Sequence, residues 1–397
     1  MKRRMKFRIM ALGLLLVTAF TACNKDDGSL VSVTNDDTPT HAVTTVLDGI
    51  DINDIISPWL SIDIENLPNY ARTNYPAHYR PVLNDDNTPP NNPVTDIGAT
   101  LGRVLFFDKQ LSLNNTTSCA SCHNQADGFT DRDVLSTGFN GGLTGAHSMR
   151  LANARFYDSG SMFWDKRAAD LEEQSTGPIK DGVEMGWDAS AGGINALITK
   201  MNDLPYYPAL FEAVYGSSNI TEDKMQRAIA QYVRSMVSVN SKYDVGAAQA
   251  NNLNANFGNF STAENLGKRL FMSAPNQGGA GCNACHSAPA FALVANSGST
   301  GLDANETTIF KSPSLKNVAA AEGYMHDGRF RTLAEVVEFY NSGIVNSPSL
   351  DNRLRRGNQP QRLNLTQEEK DGLVAFMVTL TDPIIMTDSK FSDPFIQ

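Results

Sequence analysis

Cys119-Ala120-Ser121-Cys122-His123 and Cys282-Asn283-Ala284-Cys285-His286 spell one pattern twice: two cysteines three positions apart with a histidine directly after. On a helical turn, positions i, i+3 and i+4 share a face. Two thioether bonds from that face can hold a porphyrin edge while the adjacent imidazole reaches the iron, so the pattern reads as covalent c-type haem attachment. A thioredoxin-like dithiol and a four-cysteine zinc site use similar spacings. Two copies in matching contexts, in a chain with only five cysteines, favour two haems. His123 and His286 are then the proximal ligands. The occupant of the sixth position on each iron decides between carrying electrons and binding peroxide or oxygen.

The elements that must carry these motifs also repeat. Leu101-Gly102-Arg103-Val104-Leu105-Phe106 begins eighteen residues before Cys119, and Leu266-Gly267-Lys268-Arg269-Leu270-Phe271 begins sixteen before Cys282. The shared L-G-x-x-L-F phrase implies an internal repeat and two homologous domains, expected at 90–250 and 255–385. Helical signals dominate both. Thr221 ahead of Glu222 and Asp223 caps a stretch with Met225, Ile229, Val233 and Val237 at helical spacing. Thr366-Gln367-Glu368-Glu369 is a capping box ahead of Leu373, Phe376, Met377 and Leu380. Alternating strand patterns are scarce, and Gly/Asn/Ser-rich loops such as 138–145 and 295–301 are long. The expected class is mainly α with extended functional loops.

The other end of the chain carries an address. Lys2, Arg3, Arg4, Lys6 and Arg8 precede an apolar run of about twelve residues from Ile9 to Phe20, then small residues and Cys23. That run is too short to cross ~30 Å of hydrocarbon as a helix, so a secretory signal over 1–22 is expected. Thr21-Ala22-Cys23 resembles a bacterial lipoprotein cleavage box, which would acylate Cys23 and anchor the protein to a membrane. Residues 24–39 are polar and acidic and read as a flexible tether, within a tether and N-terminal extension over 23–89. The resemblance to lipoproteins with acidic residues after the cysteine implies the periplasmic side of the outer membrane or the cell surface.

With 41% hydrophobic residues, 30 Gly and 18 Pro, the composition is that of an ordinary globular protein. Disorder, collagen and multispan membrane architectures are excluded. An odd count of five cysteines excludes a disulfide scaffold. Cleavage before Cys23 removes five of 33 basic residues and none of 43 acidic ones, leaving 28 against 43, a net of about −15. Nucleic acid is therefore not an expected partner. A basic electron-donor protein would be favoured by the field.

Leu101 to Ser112, the first C-x-x-C-H, Phe163-Trp164-Asp165-Lys166-Arg167, Leu171-Glu172-Glu173-Gln174, Gly177-Pro178-Ile179, Val183-Glu184-Met185-Gly186, the second C-x-x-C-H, Lys311-Ser312-Pro313-Ser314-Leu315-Lys316-Asn317 and Tyr324-Met325-His326-Asp327-Gly328 follow one another in this order. Over about 90–385 the chain thereby resembles the bacterial dihaem cytochrome c peroxidases and their MauG relatives. The resemblance implies two cytochrome c-like α domains with one haem each and an active site at their interface. It implies that Trp164 relays electrons between the haems and that Gln174 and Glu184 are the polar pair over the peroxidatic haem, with Pro178 walling the pocket. Cleaving bound peroxide needs a proton moved from one oxygen to the other, work suited to a carboxylate such as Glu184, with Gln174 orienting the peroxide or stabilising charge.

Some positions depart from the peroxidase pattern. Phe139 stands where the resemblance implies a histidine that blocks the first iron, and phenylalanine cannot ligate; His147, eight residues on, reads as a loop histidine bonded to a propionate or the backbone. His147 also stands where the resemblance implies an asparagine that helps bind an interdomain calcium, which puts calcium in doubt. Tyr340 stands where the peroxidases place a methionine ligand to the second iron, as in MauG; Met325 is the rival ligand. A phenolate lowers the potential where a thioether raises it. His326 is expected to order haem propionates or the domain interface, and His41 and His78 carry no expected role. The leading expectation is a lipid-anchored dihaem peroxidase reducing hydrogen peroxide with electrons from a small redox protein, a cytochrome c or cupredoxin. A MauG-like oxidase is second, and a non-catalytic dihaem electron carrier third.

Overall fold

The computed structural model describes residues 31–33, 43–157, 160–292 and 297–396. The expected signal over 1–22 and Cys23 lie outside the described residues. Helices dominate: α1 (Ile52–Ile56), α2 (Asp96–Phe107), α3 (Cys119–Cys122), α4 (Leu171–Ser175), α5 (Gly193–Asn202), α6 (Tyr206–Tyr215), α7 (Glu222–Ser235), α8 (Lys242–Gln249), α9 (Thr262–Met272), α10 (Leu333–Glu338) and α11 (Gln367–Val378). Among the described residues the sheet consists of three antiparallel pairs, β1 (Val31–Val33) with β4 (Thr73–Tyr75), β2 (Val46–Leu47) with β3 (Ile50–Asp51), and β5 (Arg355–Arg356) with β6 (Gln359–Pro360). The helix-rich class read from the sequence holds.

The repeated L-G-x-x-L-F phrase lies on α2 and α9, and its glycine is where each helix crosses a partner. A Cβ on Gly102 would stand 2.0 Å from the Ala228 carbonyl oxygen of α7; one on Gly267 would stand 1.8 Å from the Gly372 carbonyl oxygen of α11. Only a residue without a side chain lets the backbones approach this closely. The α2–α7 pair centres a core with Leu101, Leu105, Ile229 and Val233, and the α9–α11 pair centres another with Phe271, Phe291 and Phe376.

The caps read from sequence form. Thr221 accepts the Lys224 N–H at 3.2 Å, and Thr366 and Glu369 make a reciprocal box. Helix α7 stops at Ser235, short of Val237. There Asn153 competes with further helix: its N–H donates to the Met236 carbonyl at 2.9 Å, and its side-chain oxygen accepts the Ser238 N–H at 2.9 Å.

The segment before the first repeat is more than a leash. Val31–Val33, inside the stretch expected to be a flexible tether, pairs with Thr73–Tyr75; β-branched valines at alternate positions suit a strand. Tyr75, Tyr79 and Val82 form a cluster with Phe156, Val237 and Ala290. Tyr79 donates its hydroxyl to the Ser238 carbonyl at 2.9 Å, and His78 lies 3.2 Å from Asp244. The C-terminal tail returns to the first core, where Ile385 and Phe391 are buried and Phe395 bridges Leu60. Among the described residues no helix is long and apolar enough to cross a membrane.

Candidate haem sites and active-site cavity

Both C-x-x-C-H segments close one tight turn in which the histidine N–H returns to the first cysteine's carbonyl, His123 to Cys119 and His286 to Cys282, each at 2.9 Å. The first is α3, capped by a Ser118–Ser121 box; the second is a 3-10 turn after Gly281, whose φ of +76° is easy only for glycine. In each, Nδ1 faces a backbone carbonyl, Phe129 for His123 and Pro313 for His286, both at 3.1 Å. A carbonyl only accepts, so Nδ1 carries the proton and Nε2 keeps a lone pair with which it could ligate a metal.

Two cavities adjoin these turns. One of about 540 Å³ is lined by Cys119, Cys122 and His123; a narrower one of about 160 Å³ is lined by Cys282 and His286. The donor set fits a haem at each turn: at the first, both thiols and the imidazole face one hollow; at the second, Cys282 and His286 face theirs, with Cys285 three residues on in the same turn. Burial pushes the Cys119 thiol up to about 12 and Cys122 up to about 11. That is opposite to the depressed thiolate of a thioredoxin-like pair. Among the described residues no three His, Cys, Asp or Glu converge as a metal cluster would require, which counts against a four-cysteine zinc site.

Gln174 on α4, Pro178 just after it and Glu184 from the following turn line the larger cavity beside Cys119 and His123. Gln174 rides on α4, which Asp170 caps and Glu172 ties down: Arg234, 1% exposed at its side chain, grips Glu172 with two nitrogens at 2.5 and 2.7 Å. Glu184 follows a turn in which Asp181 accepts the Val183 and Glu184 N–H groups at 2.7 and 3.0 Å. Burial holds the Glu184 carboxyl above its usual range; Asp181 adds to the shift, and Arg167 opposes it. A carboxyl shifted in this direction keeps its proton to a higher pH than an exposed one, which suits proton transfer.

Phe139 is not on the wall of that cavity. Its N–H donates to the Glu184 carbonyl at 2.9 Å and its ring lies against Gly186, so it braces the Glu184 loop from behind.

Trp164 lines both cavities, as do His147 and His326. The Trp164 indole donates to the His147 carbonyl at 2.7 Å. The His147 ring is bonded to the backbone, its Nδ1 facing the Val134 carbonyl at 3.0 Å and the Asp133 carbonyl at 3.2 Å. Its Nε2 is 3.3 Å from the Thr130 hydroxyl. His326 stacks on Phe310 with ring centroids 4.1 Å apart. Tyr340 and Met325 both line the smaller cavity, so the structure brings both candidate ligands to the His286 site. Tyr340 sits in a π-helical turn, Phe339–Gly343, a local widening frequent at functional sites.

Sequence reasoning passed over several residues here. Lys311, 5% exposed, and Arg150 line both cavities; burial, with Lys166 adding repulsion, pulls the Lys311 ammonium down to about 7. Lys311 opens the K-S-P-S-L-K-N phrase, where an isolated lysine in an apolar setting was the available signal. The buried Asp244–Lys316 pair, with His78 beside Asp244, had none, since its members are far apart in sequence.

A pair of C-x-x-C-H turns each beside a cavity, polar side chains on the wall of one, and an indole on the walls of both fit a dihaem redox enzyme. The chain matches the di-haem cytochrome c peroxidase family over residues 97–252 and 261–362 and belongs to it. It is an oxidoreductase of the peroxidase type, and the family implies two c-type haems. The cytochrome c551 peroxidase of Nitrosomonas europaea is 30% identical over 302 residues, covering 71% of this chain and 79% of that one. The methylamine utilization protein MauG of Methylophilus methylotrophus is 28% identical over 305 residues, covering 74% of this chain and 84% of its own. Among solved structures, a MauG-like protein associated with microbial copper homeostasis superposes with a TM-score of 0.64 at 29% identity, covering 78% of this chain and 96% of that one. The diheme peroxidase BthA of Burkholderia thailandensis shares the fold, with a TM-score of 0.60 at 23% identity, covering 76% and 91%.

Proposed function

We propose that the chain reduces hydrogen peroxide to water in the larger cavity, at a haem held by Cys119, Cys122 and His123. A second haem held by Cys282, Cys285 and His286 would receive electrons from a small redox protein, a cytochrome c or cupredoxin. The observation that carries this reading is the meeting of Glu184, Gln174 and Pro178 with Cys119 and His123 around one cavity. A bound haem supplies the iron at which the peroxide O–O bond is reductively cleaved. Glu184, its carboxyl raised by burial, takes a proton from one peroxide oxygen and returns it to the other. Gln174 offers an amide to orient the peroxide, and Pro178 adds a rigid apolar wall. Trp164, on the walls of both cavities, is the route for electrons between the domains.

A MauG-like oxidation of a protein or small molecule is the second reading. It is favoured by Tyr340 on the wall of the smaller cavity and by Phe139 lying behind the Glu184 loop, off the wall of the larger cavity. Peroxide turnover by the holoprotein with reduced cytochrome c or cupredoxin tests the first reading. No donor-dependent turnover, with peroxide still altering the haem spectrum, would select the second. The reading includes export and anchoring through Cys23, at the periplasmic side of the outer membrane or the cell surface. Loss of fatty-acid labelling in Cys23→Ser tests that part.

A further inference from the structure

We propose that Lys311 and Arg150 are the counter-ions for the propionate edges of the two haems, placed where the two cavities meet. The inference rests on the haem reading above and concerns the part of each haem that thioethers and proximal histidines leave unheld.

Lys311 is a buried cation whose partners are all soft. Its ammonium reaches the Met162 sulfur at 2.8 Å and the Tyr157 ring at 4.2 Å. Arg150 gives one terminal nitrogen to the Ala321 carbonyl at 2.9 Å and lies 5.5 Å from the Tyr324 ring centroid; its Nε is enclosed without a hydrogen-bond partner. No carboxylate is among the groups acting on either charge: Lys166 repels Lys311, and Arg150 faces the neutral phenol of Tyr324. A surface lysine would extend its head to water, but this one, 5% exposed, points inward. Burying a cation without an anion is costly, so an unmatched pair at one place points to an anion that belongs there.

Haem supplies that anion. Its two carboxylates sit on the pyrroles away from the thioether bonds, and they are ionised at neutral pH. Lys311 and Arg150 line both cavities, together with Trp164, His147 and His326, so the pair is available to the carboxylates of either haem. A guanidinium with an unused Nε matches a carboxylate in geometry as well as charge. The rival is that thioether and aromatic contacts are the whole role of both residues, and the experiment separates the two.

Lys311→Met removes the charge and keeps the length. The variant is expected to keep two covalently attached haems by pyridine haemochrome and mass, with the midpoint potential of at least one haem lowered, because losing a nearby positive charge favours the oxidised iron. Lys311→Arg should bring the potential back. Resonance Raman bands of the propionate bends should shift in Lys311→Met and again in Arg150→Lys. Two attached haems with unchanged potentials and unchanged bands would overturn the proposal. If Lys311→Met does not accumulate, the bands of Lys311→Arg and Arg150→Lys decide by themselves, unchanged bands again counting against it. A wild-type protein that carries no haem would overturn the haem reading itself, a separate failure visible before any variant is made.

Discussion

The indole N–H of Trp164 is donated to the backbone carbonyl of His147 at 2.7 Å, and the Trp164 carbonyl in turn accepts the Lys311 N–H at 2.8 Å. Two hydrogen bonds to separate loops thus fix one ring on the wall common to both cavities. Trp164→Phe keeps a ring but loses the donor and the more oxidisable indole. Donor-driven peroxide turnover should fall by about tenfold or more, the loss from roughly 1.4 kcal/mol of barrier. Haem content should be unchanged. Wild-type turnover would mean that electrons cross by another route.

Glu184 should be the proton carrier of the larger cavity. Glu184→Gln removes the acid while keeping the shape, and peroxide turnover should drop by roughly a hundredfold or more. Stability should move the other way. Burial raises the Glu184 carboxyl above its unfolded value of about 4.3, so the folded state binds the proton more tightly and wild-type stability falls as pH rises through that window. The glutamine variant should therefore melt above wild type at pH 7, with the gap closing below about pH 4. A gap that is the same at both pH values would contradict the assigned direction.

The repeated glycines should be intolerant of even one methyl group. At Gly102 and Gly267 the obstructing atoms are carbonyl oxygens of Ala228 and Gly372, at 2.0 and 1.8 Å from the added Cβ, and a backbone cannot rotate aside as a side chain can. Gly102→Ala and Gly267→Ala should each cost at least the roughly 1–3 kcal/mol of an overpacked core, read from denaturant midpoints. A change under about 0.5 kcal/mol, the range of neutral surface substitutions, would mean that the helices separate freely.

These glycines also show how much the sequence disclosed. The repeat, the two C-x-x-C-H turns and the helix caps were legible because each is local: a few residues at fixed spacing that imply a turn, a face or an end. Trp164, Gln174 and Glu184 were legible only through the family resemblance, since nothing in an isolated Trp, Gln or Glu announces a pocket. The docking of residues 43–89 was not legible. It depends on Tyr79 finding Ser238 and on His78 lying beside Asp244, contacts between segments more than 150 residues apart. Phe139 was readable as a non-ligand, but its bracing of the Glu184 loop emerges only when the Gly138 backbone packs against Val183.

The Asp244–Lys316 ion pair should be a principal tie of the second core. Both side chains are buried, at 1% and 0% exposure, and Asp244 also accepts from Ser241 and lies beside His78. Burial alone would raise the Asp244 carboxyl, but Lys316 and the hydrogen bonds outweigh it and hold it below its usual range. Its contribution is therefore present above the unfolded carboxylate pKa of about 3.9 and is lost as pH falls through the lower folded value. Asp244→Asn strands a buried ammonium and should cost about 3–5 kcal/mol by chemical denaturation at pH 7. The double variant Asp244→Asn with Lys316→Met should cost less than the sum of the singles; strict additivity would show that the two do not act as a pair.

Tyr340 and Met325 compete for one role, and their chemistry separates them. Both line the cavity beside His286, Tyr340 from the π-helical turn after α10 and Met325 from a left-handed position with φ of +69°. A phenolate ligand stabilises oxidised iron and lowers the potential, whereas a thioether raises it. If Tyr340 ligates, Tyr340→Phe should change the low-spin spectrum of the second haem and Met325→Leu should leave it alone. Tyr340→Met should then raise the second potential, since it exchanges a hard anionic donor for a soft neutral one at the same place. The opposite pattern, a silent Tyr340→Phe and an altered Met325→Leu, would move the ligand to Met325. It would also remove the main observation favouring the oxidase reading, because a thioether-ligated second haem suits the uptake of electrons from a small donor protein.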